Sequence, residues 1–336
     1  MWSEKISMKF TLLNAENLFL LFDRPPSTEM TKADETEWQR LSTSIFPNKP
    51  LKKVRELAKV ILEMNSDIVM LCEIGGPESL VNFNHLFLNQ AYSPIALEGN
   101  SDRNIDVGFL IKKNSPFYFD LASNKHRLIN YLYKHERDPA PGAVKITSHR
   151  FSRDAAELRL FKKDRDNPFL VVILTHLKSP LDPERIDPMG FERRQAEAKT
   201  LVEIYKEIEG QHPNTPIIVA GDFNGNASPS GTDREFQFIY QTTAMQDILE
   251  LSQRPVPERA TYYQVRMGGK VEGKQIDYCF LSPAAAKHLK PGTAQVYRYK
   301  DEFGFAIDIP NTLDAKLNLP SDHYPLVFEL ESLEVF

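Results

Sequence analysis

Cysteine is scarce in this sequence: two among 336 residues, Cys72 and Cys279. That number builds neither a disulfide framework nor a zinc ribbon. Both lie in apolar strand-like runs, Ile68 to Ile74 and Ile276 to Leu281, where a reduced thiol packs as a small hydrophobe. Long apolar runs are missing too. None reaches the roughly 18 residues of a membrane helix, and the stretch from Phe10 to Phe22 is broken by Asn14, Glu16 and Asn17, so it does not read as a signal peptide. The chain therefore reads as soluble and cytoplasmic. There is no excess of positive charge: 41 Lys and Arg stand against 46 Asp and Glu, a formal net charge of −5. Wholesale coating of nucleic acid is disfavoured, because phosphate backbones attract positive surface. A local basic groove stays open. Its best candidate is Lys125, His126, Arg127, Lys134, His135 and Arg137, interleaved with Tyr131 and Tyr133, with a solvated face as the alternative.

What is present is ordinary globular composition, 41% hydrophobic and 26% charged, at a length that can bury a large core. Val54, Leu57, Ala58, Ile61 and Leu62 recur at helical spacing, with Lys52, Lys53, Glu56 and Lys59 opposite. A second amphipathic helix is expected over Arg193 to Ile208. Phe10 to Asn14, Asp67 to Glu73, Val107 to Ile111, Phe169 to Leu174, Ile217 to Ala220, Ile276 to Leu281 and Leu326 to Leu330 are short apolar runs of strand length, the form of strands buried on both faces. Strands and helices alternate, so the chain is α/β. Without repeats or flexible linkers it reads as one domain over residues 1–336, with insertions at about 24–50, 116–150 and 297–320, the first an insertion or lid.

Polar residues gather at the ends of these strands. Asn14 ends the first, Glu73 the second, and His176 follows Phe169 to Leu174. Asp222 and Asn224 close Ile217 to Ala220, Asp277 lies inside the Ile276 strand, and Asp322 and His323 precede Leu326. If those ends converge, few carboxylates with room for water and phosphate oxygens describe a magnesium site better than a zinc or calcium site. An Asp beside a His orients the imidazole and stabilises its protonated form. The reaction class suggested is phosphate-ester hydrolysis by an activated water.

Seven blocks carry a resemblance: Asn14-Ala-Glu-Asn-Leu-Phe, Leu71-Cys-Glu73-Ile, Asp106-Val-Gly-Phe-Leu, Thr175-His176-Leu-Lys178-Ser, Gly221-Asp222-Phe223-Asn224, Ile276-Asp277-Tyr278 and Ser321-Asp322-His323-Tyr324-Pro325. Their order, over nearly the whole chain, resembles the endonuclease/exonuclease/phosphatase (DNase I-like) family, in a bacterial-type form. The resemblance implies a four-layer, two-sheet α/β sandwich with helices on the outer faces. It implies Glu73 as principal metal ligand, reinforced by Asn14 and Asp322, holding Mg2+ with Mn2+ as substitute. Asp222 and Asn224 would position the attacking water and the scissile phosphate. His323 would act as general base or transition-state stabiliser with Asp277 as its partner, and His176 would contact a phosphate oxygen or help the leaving group. Asn104 stands where similar members often show Gly, before Ile-Asp-Val.

Other residues stay open on their own evidence. Arg103, Arg150 and Arg153 could line a substrate groove, or be exposed or paired with Asp154 and Glu157; Asp106 could serve the site or start a strand. Tyr262, Tyr263, Tyr297, Tyr299, Phe303 and Phe305 could stack on bases or pack in the core. The leading expectation is a magnesium-dependent phosphodiesterase or nuclease on a phosphodiester or phosphomonoester, DNA or RNA among them. A small or lipid phosphoester, inositol phosphate or sphingomyelin-like, is the alternative, and a noncatalytic binding module is the reading from another class. No GNH block accompanies GDFN, which sets the metallophosphatases aside. Nothing in the sequence indicates a protein partner.

Overall fold

A computed structural model describes residues 4–137, 145–163, 165–231, 233–266 and 268–335 of the chain. In chain order its strands are β1 (Glu4–Leu18), β2 (Ile68–Ile74), β3 (Tyr92–Ala96), β4 (Asp106–Lys112), β5 (Tyr118–Ser123), β6 (Ala155–Phe161) and β7 (Leu170–His176). There follow β8 (Ile217–Asp222), β9 (Gln246–Asp247), β10 (Tyr262–Val265), β11 (Val271–Lys274), β12 (Asp277–Leu281), β13 (Gln295–Val296) and β14 (Leu326–Val335). Among the helices are α1 (Glu35–Gln39), α2 (Leu51–Met64), α3 (Gly76–Phe87), α4 (Lys134–Arg137) and α5 (Phe191–Gln211).

Two six-stranded sheets result, in the orders β13-β14-β1-β2-β4-β3 and β5-β6-β7-β8-β12-β9. Strand periodicity explains how they stack. Successive side chains point to opposite faces, so in β1 Phe10 and Leu12 join the core between the sheets while Leu13 faces outward. In β7 Leu170, Val172 and Leu174 face the same inner core while Val171 and Ile173 face away. The outer face of the first sheet is covered by Val54, Leu57, Ala58 and Ile61 of α2, that of the second by Leu201, Val202, Tyr205 and Ile208 of α5. This is the expected four-layer sandwich. The apolar runs are continuous because both faces of each central strand are covered. Each large side chain so buried stabilises by roughly 1.5–3 kcal/mol. Leu62, expected on the apolar face of α2, is exposed.

Two parallel pairs, β1 with β2 and β7 with β8, run the same way toward one edge of the sandwich, and the antiparallel β12 and β14 begin at that edge. The register sets Asp222 beside both His176 and Asp277. Gly221 makes the approach of β7 and β8 feasible, since a Cβ there would stand 1.9 Å from the Thr175 carbonyl oxygen.

The irregular regions are more ordered than their composition suggests. Residues 24–50 are no free lid: Asp34 and Glu37 cap α1 reciprocally, and the buried Trp38 donates its indole N–H to the Lys49 carbonyl at 3.0 Å. The span 116–150 holds β5 and α4, and its residues 138–144 lie outside the described residues. Asn104 adopts φ +50°, a left-handed conformation that Asn, like Gly, tolerates. Asp106 starts β4 and accepts the Gly99 N–H at 2.8 Å, a strand-start role. Both cysteines are buried free thiols. Among the described residues no helix is long and apolar enough to cross a membrane.

Candidate active site

At the shared strand edge Asp222 is the hub. Its Oδ2 accepts from Asn14 Nδ2 at 2.9 Å and lies 3.6 Å from His176 Nε2 and 3.9 Å from His323 Nε2. Its Oδ1 accepts the Asn224 N–H at 2.8 Å. Asn224 itself, at φ +52°, turns its side chain to donate to the Leu177 carbonyl at 3.0 Å. His323 Nδ1 donates to Asp277 Oδ2 at 2.8 Å. Asp222, Asp277 and His323 bring one ligand atom each within 4.8 Å of one another, a buried group that could hold a metal ion.

Glu73 joins through His176, with Oε1 4.0 Å from Nε2. The β2 pairings shift register around it, and its φ of +59° swings it out of the strand alternation. A non-glycine residue there costs on the order of 1–3 kcal/mol, strain of the kind found at functional sites. Asn17 N–H donates to its Oε2 at 3.1 Å. Asn14 is committed twice, to Asp222 and, through Oδ1, to the Glu16 N–H at 2.9 Å, so here it holds Asp222 in place. Asp322 stands on the far side, 3.9 Å from His323 Nε2 and ion-paired with Lys316 at 3.3 Å. The tight ligand cluster therefore centres on Asp222, with Glu73 and Asp322 flanking it through the two histidines.

Burial pushes the Asp222 carboxyl up to about 7, helped by the Asp277 charge, while His323, Asn224 and Asn14 oppose the rise. Burial alone would lower the His323 pKa, yet Asp277, Asp322 and Asp222 overcome it and hold the imidazole well above its ordinary value. His176 goes the other way, well below, because it is buried and faces the positive Arg153, His323 and Arg103. Its Nδ1 is buried with no hydrogen-bond partner. Asp322 stays low despite burial because His323 and Lys316 stabilise its charge.

The arginines separate. Arg153 is buried beside the centre and donates to the Leu177 carbonyl at 3.2 Å. Arg103 is exposed and donates to Asn17 Oδ1 at 3.0 Å. The Arg150 side chain is exposed; its carbonyl accepts from Arg193. The basic stripe is dispersed, with Tyr131 and Tyr133 buried, Arg127 paired with Glu207, and Arg137 on the Leu132 carbonyl. Of the aromatics, Tyr263 and Tyr299 are core and Tyr262 tilts over His323 with ring centroids 5.2 Å apart.

Sequence reasoning passed over several supports. The buried Thr261 hydroxyl accepts the Ile276 and Asp277 N–H groups, each at 3.2 Å. Ser321 Oγ donates to the Asn14 carbonyl at 2.7 Å and accepts the His323 N–H at 3.2 Å, tying two motifs together. Lys316 reaches over the Tyr262 ring, 3.6 Å from its centroid. Ser321 carried a signal, its place in the Ser-Asp-His block; Thr261 and Lys316 carried none.

No protein-family model and no curated protein matches the chain. Solved structures do. Truncated Caenorhabditis elegans TDP2 is 13% identical with a TM-score of 0.55, over 97% of this chain and 98% of that one. The human Nocturnin catalytic domain with bound sulfate anion is 18% identical, TM-score 0.56, over 98% and 95%. An endonuclease/exonuclease/phosphatase family protein from Bacteroides thetaiotaomicron is 15% identical, TM-score 0.56, over 98% and 97%. At these identities the likeness is one of fold, and the fold of this chain is the endonuclease/exonuclease/phosphatase, DNase I-like sandwich.

Proposed function

We propose that the chain is a metal-dependent phosphoester hydrolase, and within that class a magnesium-dependent phosphodiesterase or nuclease. The observation that carries this is the His323–Asp277 pair at 2.8 Å facing an Asp222 carboxyl pushed up to about 7. A carboxylate poised near neutral pH is matched to taking a proton from water. Held by Asn14 and the Asn224 backbone, Asp222 would orient and deprotonate that water. His323, kept cationic by Asp277, would stabilise charge developing on the phosphoryl oxygens. Neutral His176 would donate Nε2–H to a phosphate oxygen. The donor set suits a hard cation: among the described residues Glu73 Oε1 is met by His176 Nε2 at 4.0 Å, beyond hydrogen-bond range, and Asp277 Oδ1 is buried without a hydrogen-bond partner. Glu73 would hold it, with Asn14 and Asp322 flanking; when bound, it would supply positive charge at the phosphoryl group. The sulfate on human Nocturnin, a phosphate mimic on the same fold, supports this reading.

The test is nicking of supercoiled plasmid at low salt with magnesium. Wild type is expected to nick, and His323→Ala or excess chelator to abolish nicking. Nicking that survives either change would sink the proposal.

A second reading, a lipid phosphoester, is favoured by one observation. Phe303 and Phe305 are 76% and 71% exposed, in a segment anchored to the His323 motif by Tyr299 Oη donating to the His323 carbonyl. Release of phosphorylated headgroup from sphingomyelin vesicles, with the plasmid left intact, would select it.

A further inference from the structure

Beside the reaction centre, on the His176 side, lies a cavity of about 370 Å³ lined by Arg103, Arg153, Lys178 and Arg193. Arg153 is 5% exposed, yet among the described residues no carboxylate hydrogen-bonds it: Nη1 donates to Ser152 Oγ and the Leu177 carbonyl, each at 3.2 Å, and Nε is buried with no hydrogen-bond partner. Among the described residues Lys178 Nζ donates to the Ser179 and Leu181 carbonyls and to no carboxylate. Arg193 donates to Tyr133 Oη and the Arg150 carbonyl, and its Nε, without a hydrogen bond, is ion-paired with Glu197 Oε1 at 3.6 Å. One buried carboxylate, Glu197, stands among the three cations, and both its oxygens accept backbone N–H groups, of Ser152 and Lys178.

The other acids of the cavity are spoken for or remote from its floor. Asp182 accepts the Ile186 and Asp187 N–H groups, and Asp187 accepts those of Glu192 and Arg193. Asp102 and Glu184 are exposed at the rim, where water and salt screen them. Glu197, Glu73 and Asp222 act on Arg153 only through space, and a buried guanidinium with no anion hydrogen-bonded to it is costly unless something supplies one. The Leu177 carbonyl accepts from both Asn224 and Arg153, so the cavity floor and the reaction centre share an atom.

We infer that this cavity is a subsite for a second phosphate, so that the substrate carries another phosphate group beside the scissile one. The inference rests on the phosphoesterase reading. The second phosphate comes either from the neighbouring linkage of a nucleic-acid strand or from a terminal monoester on a small molecule. The shared chemistry is an oxyanion received by Arg153, Lys178 and Arg193 through charge-assisted hydrogen bonds.

Binding in chelator tests the subsite without turnover. Adenosine 5′-monophosphate is expected to bind about tenfold or more tighter than adenosine, a preference lost in Lys178→Gln and Arg193→Gln and largely kept in Arg193→Lys. With magnesium, thymidine 5′-(p-nitrophenyl phosphate) is compared with the same ester bearing a 3′-phosphate, free or esterified to a second nucleoside. A 3′-phosphate is expected to raise kcat/KM about tenfold, with that ratio collapsing in both Gln variants. The free or the esterified form giving the larger gain identifies the source as small molecule or strand. Equal binding of the nucleotide and the nucleoside, or equal kcat/KM with and without the 3′-phosphate, overturns the subsite. So does a loss in Arg193→Lys as large as in Arg193→Gln. Should the p-nitrophenyl esters, the plasmid and the sphingomyelin vesicles all stay intact, the phosphoesterase reading fails, and the binding measurement alone decides whether the cavity takes phosphate.

Discussion

His176 and His323 occupy matching places, one at the end of β7 and the other just before β14, and both aim Nε2 at the same Asp222 oxygen, at 3.6 and 3.9 Å. Their second nitrogens differ. Nδ1 of His323 rests on Asp277 at 2.8 Å, whereas Nδ1 of His176 is buried with no partner and Arg153 stands nearby. Burial pushes both pKa values down, and only at His323 do carboxylates, led by the hydrogen-bonded Asp277, outweigh it, so one ring is held cationic and the other neutral. Strand topology fixes where each imidazole sits, and the partner on the far nitrogen fixes its charge.

The change with the largest expected effect removes that asymmetry. Asp277→Asn keeps the shape of the pair and discards the charge holding His323 protonated. A loss of on the order of a hundredfold to ten-thousandfold in kcat is expected, with the alkaline limb of the pH–rate profile moved to lower pH. A steady-state pH profile checks both. An unmoved limb would remove His323 from its charged role.

His176→Ala tests the neutral side and should cost less, about a hundredfold, as for loss of one positioned donor. The alkaline limb should stay in place, because the His323–Asp277 pair is untouched. His176→Gln keeps an N–H near Asp222 and is expected to recover part of the rate. A shift of the limb in His176→Ala equal to that in Asp277→Asn would mean the two histidines titrate as one unit.

The same contrast explains what could be read in the sequence. Central strands such as β2 and β7 are legible because burial on both faces leaves uninterrupted apolar residues. β5 was invisible: as an edge strand its residues alternate between exposed and half-buried and look like loop. The hairpin β10–β11 was hidden too, by Gly273 and polar residues within a half-exposed pair. Asp222 and His323 stood out as polar residues against apolar strands. What distinguishes His176 from His323 depends on register and on contacts such as Thr261 with the Asp277 N–H, across 16 residues of chain, which no local pattern encodes.

A third carboxyl sharpens the comparison with the smallest expected effect. Asp247, in β9, is pushed up to about 7 by burial, as Asp222 is, but no histidine faces it. Gln275 Nε2 donates to its Oδ2 at 3.0 Å, and Oδ1 has no partner. Its folded pKa lies above the unfolded value of 3.8. The native state therefore binds the extra proton between that value and about 7, and the stability so gained is full below pH 3.8 and lost as the pH rises through 7. Asp247→Asn mimics the protonated form and still accepts from Gln275. It should leave activity unchanged and stabilise the fold by roughly 1–3 kcal/mol at pH 8, the scale of a poorly partnered buried group. That corresponds to a rise of a few degrees in melting temperature. The gain should shrink to a small remainder at pH 4, where both folded proteins are neutral at this position. Thermal melts of the two proteins at pH 4, 6 and 8 read the difference directly, and a gain that is flat with pH would show that Asp247 is ionised in the fold throughout. In that case burial alone does not raise a carboxyl in this sheet, and the elevated pKa of Asp222 would have to come from its Asp277 neighbour.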